Sequence, residues 1–132
     1  MYGYNGAAAR QYQNIEVNTG VTSASPERLV LMLLQGAEQR LAAAKGHMER
    51  GEIGPRCERV RQTLNIVAEL RGSLNHEAGG DIAARLDSLY EYITRRLVTA
   101  NSQVDAAGLD EVRGLLGEIR SAWEQIMADK AA

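Results

Sequence analysis

Phenylalanine is absent from this chain and tryptophan occurs once, so a core must be filled by Leu, Val, Ile, Ala and Met, a palette suited to packed helices. Cysteine also occurs once, as Cys57, which excludes an internal disulfide and the stapled scaffolds built on such bonds. Only two prolines are present, Pro26 and Pro55, and no proline interrupts a helix beyond Pro55. The net charge of −2 over 132 residues is too weak a field to recommend nucleic acid as a partner. No long uncharged apolar run and no N-terminal charged-then-apolar segment is found. Neither membrane insertion nor secretion is therefore expected, and the cytoplasm is the expected location. Strand-like alternation and internal repeats are missing too.

What is present is helical periodicity. Ser25 suits a helix cap and Pro26 the first helical position, which predicts a helix over 26–50. Val30, Leu33, Leu34, Ala37, Leu41, Ala44 and Met48 form its core stripe, while Leu29 and Met32 widen it and Leu31 lands opposite, among Arg28, Gln35 and Glu38. Gly51 and the Gly54-Pro55 pair predict a turn, then a second helix over 56–74. That helix has Cys57, Val60, Leu64, Val67 and Ala68 on one face, and Thr63, Ile66 and Leu70 extend its apolar arc well beyond the usual width of about 100°. Residues 75–80, NHEAGG, read as a connection. A third helix over 81–101 carries the seam Ile82, Leu86, Leu89, Ile93, Leu97, Ala100 and Val104, with Tyr90 flanking it and Tyr92 off it. After 105–108, a fourth helix turns Leu109, Val112, Leu116, Ile119, Trp123 and Ile126 inward. The expected fold is all-α, an antiparallel four-helix bundle over 25–128, with surplus apolar surface on the first two helices. Residues 1–24 read as a short mobile N-terminal arm with room for one helical turn around Tyr12, Ile15 and Glu16, ended by 17–20.

Bundle chemistry leaves little in this sequence. A di-iron site needs Glu-x-x-His pairs, but Ala44 and Ser73 stand three residues before His47 and His76. A histidine phosphotransfer site needs an exposed histidine within a helix, whereas His47 falls where a helix ends and His76 in a turn, so both read as solvated. Cys57 reads as a buried, inert thiol, and Arg56, Arg59 and Arg61 as a solvated face. Arg71 projects into the apolar stripe, where it either pairs with a carboxylate or snorkels outward. No catalytic residue, metal ligand or cofactor is expected.

An ordered set of residues resembles the FliS family of bacterial flagellin export chaperones. It comprises Tyr12-Gln13 with Val17, the run Ala24-Ser25-Pro26-Glu27-Arg28-Leu29-Val30-Leu31-Met32-Leu33, and Gly36-Ala37. It continues with Glu69-Leu70, Ser73-Leu74-Asn75, Gly79-Gly80-Asp81-Ile82-Ala83, Leu89-Tyr90 with Tyr92, Arg96-Leu97, Ala100-Asn101 and Asp105. It ends on Leu115-Leu116, Arg120, Ala122 and Trp123. The chain departs from the pattern at Leu34-Gln35, where the family typically reads Tyr-Asp. The resemblance implies a cytoplasmic chaperone that binds the C-terminal segment of flagellin, prevents premature polymerisation and delivers it to an export-gate component. Leu29, Leu31, Met32, Ile66, Leu70, Tyr90 and Tyr92 are the expected client contacts on the bundle, and Tyr12, Ile15 and Val17 those on the arm. The competing reading is a self-associating structural bundle whose spare apolar face is a homodimer interface.

Overall fold

The computed structural model describes residues 25–131, which form four α-helices. The expected arm positions Tyr12, Ile15 and Val17 lie outside the described residues. Helix α1 (Pro26–Glu49) starts as the sequence predicts: Ser25 Oγ accepts a hydrogen bond from the Arg28 N–H at 3.2 Å, and Pro26 takes the first helical position. Helix α2 (Ile53–Gly72) starts earlier than expected. Gly54 and Pro55 lie in its first turn, where backbone N–H groups have no intrahelical partner and proline loses nothing. The turn is instead made by 50–52, with Gly51 at φ 72°.

Helix α3 (His76–Ser102) also begins before its expected start. Asn75 caps it by accepting from the Ala78 N–H at 3.0 Å, one turn follows, and Gly80 breaks the backbone at φ 49°, ψ −125° before the main helix runs on. Helix α4 (Ala106–Ala131) is capped by Asp105, whose carboxylate accepts from the Gly108 N–H at 3.2 Å. Val104, expected on the α3 seam, sits instead in the α3–α4 turn, exposed and at φ 53°.

Consecutive helices run antiparallel. Arg56 at the start of α2 donates to Asn101 at the end of α3, and Lys45 near the end of α1 pairs with Asp110 at the start of α4. Helix α1 packs most extensively on α2 and α4, and α3 completes the ring against the same two. Among the described residues the largest fully buried side chains are Leu34, Leu41, Val67, Leu70, Ile93, Leu97, Leu109, Val112, Leu116 and Thr63.

The wide apolar arc of α2 is not spare surface. Ile66 (3% exposed) and Leu70 (2%) are core residues, because α2 stands between α1 and α3 and must bury two flanks. Leu31 is also buried, at 7%, apart from the contiguous core, so an acidic residue there would bury a charge. Among the described residues the large exposed apolar side chains are Ile53, Ile82, Val98, Val104 and Ile126, none of them on α1. Arg56 is buried rather than solvated, with its Nε 2.9 Å from Asn101 Oδ1, and Cys57 beside it is half-buried rather than enclosed.

Candidate functional site: an apolar cleft at one end of the bundle

At the end where α1 and α3 begin and α2 and α4 finish, the core tapers. Ile82 (70% exposed) and Ile126 (49%) keep the helical phase of the buried seams yet stand open. A cleft of about 660 Å³ runs between α3 and α4, lined by Leu70, Leu74, Ile82, Leu86, Tyr90, Ile119 and Ile126. A second cleft of about 340 Å³ lies between the start of α1 and the end of α2, lined by Pro26, Leu29, Leu33 and Glu69. Val30, Ser73 and Trp123 line both, so the two form one bent apolar trough. Trp123 forms the shared wall and is pinned by its indole N–H, which donates to the Glu27 carbonyl at 2.8 Å.

Of the expected contacts, the fold brings Leu29, Leu70 and Tyr90 to this trough. Tyr90 is almost wholly buried, and that burial pushes its phenol up to about 12. Met32 is half-buried on α1 but lines neither part, and Leu31 and Ile66 lie buried away from it. Tyr92 stands elsewhere, on the α3–α4 face, where its hydroxyl donates to Glu111. Arg96 joins the same group, with Nε 2.8 Å from Glu111 and a guanidinium nitrogen 3.2 Å from Asp105. The Tyr92 hydroxyl and then Arg96 hold the Glu111 carboxyl below its usual range, and the Gly108 N–H and then Arg96 do the same for Asp105. This network joins α3 to α4. Arg71 resolves in favour of pairing: it meets Asp87 of α3 with two bonds, at 2.6 and 3.2 Å.

Sequence reasoning missed Glu69, Ser73 and Leu74 at the trough and read Trp123, Ile82 and Ile126 as plain core. For the last two the signal was present but incomplete, since periodicity gives the direction a side chain faces and not whether a neighbour reaches it. His76, expected in a turn, is instead exposed at the first position of α3. His47 Nδ1 lies 2.6 Å from Glu52 Oε1 in the last turn of α1. Among the described residues no three His, Cys, Asp or Glu side chains gather as a metal site would require, and no helix is long and apolar enough to cross a membrane.

Fold and trough together define an all-α bundle with an apolar surface left open at one end. The family model described as flagellar protein FliS matches residues 8–130. The flagellar secretion chaperone FliSB of Pseudomonas aeruginosa is 43% identical over 119 residues, covering 90% of this chain and 94% of that protein. The flagellar secretion chaperone FliS of Salmonella typhimurium is 39% identical over 124 residues (93% and 92%), and that of Bacillus subtilis 34% over 114 residues (86% and 81%). This chain belongs to the FliS family.

Proposed function

We propose that this chain is a cytoplasmic flagellar secretion chaperone whose trough receives the C-terminal segment of flagellin as amphipathic helix, holds it from polymerising and passes it to a component of the export gate. The observation that carries this reading is the open apolar trough, with Ile82 and Ile126 exposed on a bundle whose core is otherwise closed. Relatives named as secretion chaperones over most of the chain support it. Leu29, Leu70 and Tyr90 act as walls of the trough, while Leu31, Met32 and Ile66 lie off it. Tyr92 belongs to the α3–α4 network. The role needs no catalysis or cofactor: a client that pays about 2–5 kcal/mol to fold on binding is held by contact area.

The test is a titration with a labelled peptide of the Pseudomonas aeruginosa flagellin C-terminal segment. Ile126→Asp should weaken binding about tenfold, since a charge is placed on the contact surface, and should leave the melting temperature nearly unchanged because no cavity forms. Wild-type affinity in an Ile82→Asp, Ile126→Asp double variant would remove the trough from the client site. Sedimentation of the wild type separates the competing reading, which requires a dimer indifferent to the peptide.

Residues 1–24 join the bundle at Ser25, beside the trough-lining Pro26, and tethering there gives them a high effective concentration at the trough. We propose that Tyr12, Ile15 and Val17 occupy part of the client site before the client arrives. Deleting residues 1–18 should then tighten peptide binding and make the free protein aggregate more readily in light scattering. Weaker binding after the deletion would make these residues direct client contacts.

A further inference from the structure

Glu69 is the anomaly of the trough. It projects from α2 between apolar walls formed by Leu29, Val30, Leu33 and Trp123, and its Oε1 is shut off from solvent with no hydrogen-bond partner among the described residues. Two side-chain donors that line the same cleft are committed elsewhere. The Trp123 indole N–H donates to the Glu27 carbonyl at 2.8 Å, and the Ser73 hydroxyl donates to the Leu70 carbonyl at 2.9 Å. The other carboxylate on this cleft, Glu27, is half-exposed at the rim and has Lys130 at 4.0 Å. Burial alone pushes the Glu69 carboxyl above its ordinary range, as expected where nothing offsets the lost hydration.

A carboxylate oxygen kept dry and unpaired costs stability, and Leu or Met at this position would extend the apolar wall without that cost. The cost is recovered only when something entering the cleft brings a donor. We infer that Glu69 is a specificity-determining residue of the trough: it accepts a hydrogen bond from a donor group on the docked client helix, so the cleft selects an apolar helix face carrying one polar donor over a uniformly apolar one. This rests on the client-binding reading above and adds to it what the site discriminates. Apolar contact is tolerant of sequence, whereas a buried acceptor left unpaired by the wrong ligand penalises that ligand strongly.

The experiment pairs two measurements on full-length Glu69→Met, which keeps the side-chain length and removes the acceptor. The melting temperature of the free protein should rise, by about 4 °C for a chain of this size, because a carboxylate oxygen that is dry and unpaired is gone. Affinity for the labelled Pseudomonas aeruginosa flagellin C-terminal peptide should fall about tenfold, because the peptide's donor loses its partner. Glu69→Gln, which keeps a carbonyl acceptor, should bind more tightly than Glu69→Met. A lower melting temperature for Glu69→Met would mean that the carboxylate is already partnered in the free protein, and would overturn the assignment. Unchanged peptide affinity, or a Gln variant no better than the Met variant, would also overturn it while leaving the chaperone reading intact. That reading itself fails separately, if the wild-type protein does not bind the peptide.

Discussion

Trp123→Ala should cost about 3 kcal/mol of folding stability and should also abolish measurable client binding. The ring packs against the core while half-exposed, stands in both parts of the trough, and ties the end of α4 to the start of α1 through the Glu27 carbonyl. Truncation removes the ring's apolar burial and one hydrogen bond, the latter about 1 kcal/mol, and merges the two clefts into one poorly shaped void. Chemical denaturation gives the first quantity and peptide titration the second. Trp123→Phe separates them: packing is largely kept, the anchoring bond is lost, and stability should fall by only about 1 kcal/mol. A Trp123→Ala protein of normal stability that no longer binds peptide would make the indole a contact residue and not a structural one.

The other large effect is expected at Gly108, at the far end of the bundle. A Cβ built there would lie 2.6 Å from the Ala100 Cβ and 3.0 Å from the Arg96 guanidinium. The arginine can swing aside, but the alanine methyl is fixed to the backbone of α3, so a side chain at 108 requires the two helices to separate. Gly108→Ala should destabilise the protein by about 2 kcal/mol, within the usual range for overpacking, despite the better helix propensity of alanine. It should also loosen the Arg96 bridge to Asp105 and Glu111, since that network spans the same contact. An Ala variant as stable as the wild type would show that the α3–α4 spacing yields without cost. Because Gly108 is far from the trough, peptide affinity should be untouched so long as the protein is folded.

Much of the fold was legible in the sequence because helix starts and stripes are local. Ser25-Pro26 marks the start of α1 with a cap and a compatible proline, and the seam Ile93, Leu97, Ala100 is buried as its spacing requires. Gly54-Pro55 misled because the same pair suits a turn and the first turn of a helix, and only the preceding Gly51 turn decides between them. Ile66 and Leu70 read as surplus because an apolar arc reports how much surface a helix must hide, not how many neighbours are there to hide it. The candidate site was less legible for a related reason. Ile82 and Ile126 share the phase of the core and are open because of their height along the bundle, a coordinate that periodicity does not contain. Glu69 was hidden by its own chemistry, since a glutamate on a helix ordinarily reads as solvated.

The taper also divides the molecule energetically. From the middle of the bundle to the α1–α2 and α3–α4 turns, the helices are held by fully buried side chains such as Leu41, Leu97 and Leu109. The first turn of α3, hinged on Gly80, and the last turns of α4, with Ile126 exposed, have only partial cover. Fraying of these ends should therefore draw on a local free energy below that of global unfolding, with faster amide exchange there than in the rest of the chain. On the proposed reading, a guest helix in the trough would supply the missing cover, so binding would act on the thinly covered end and leave the well-packed end as a rigid handle.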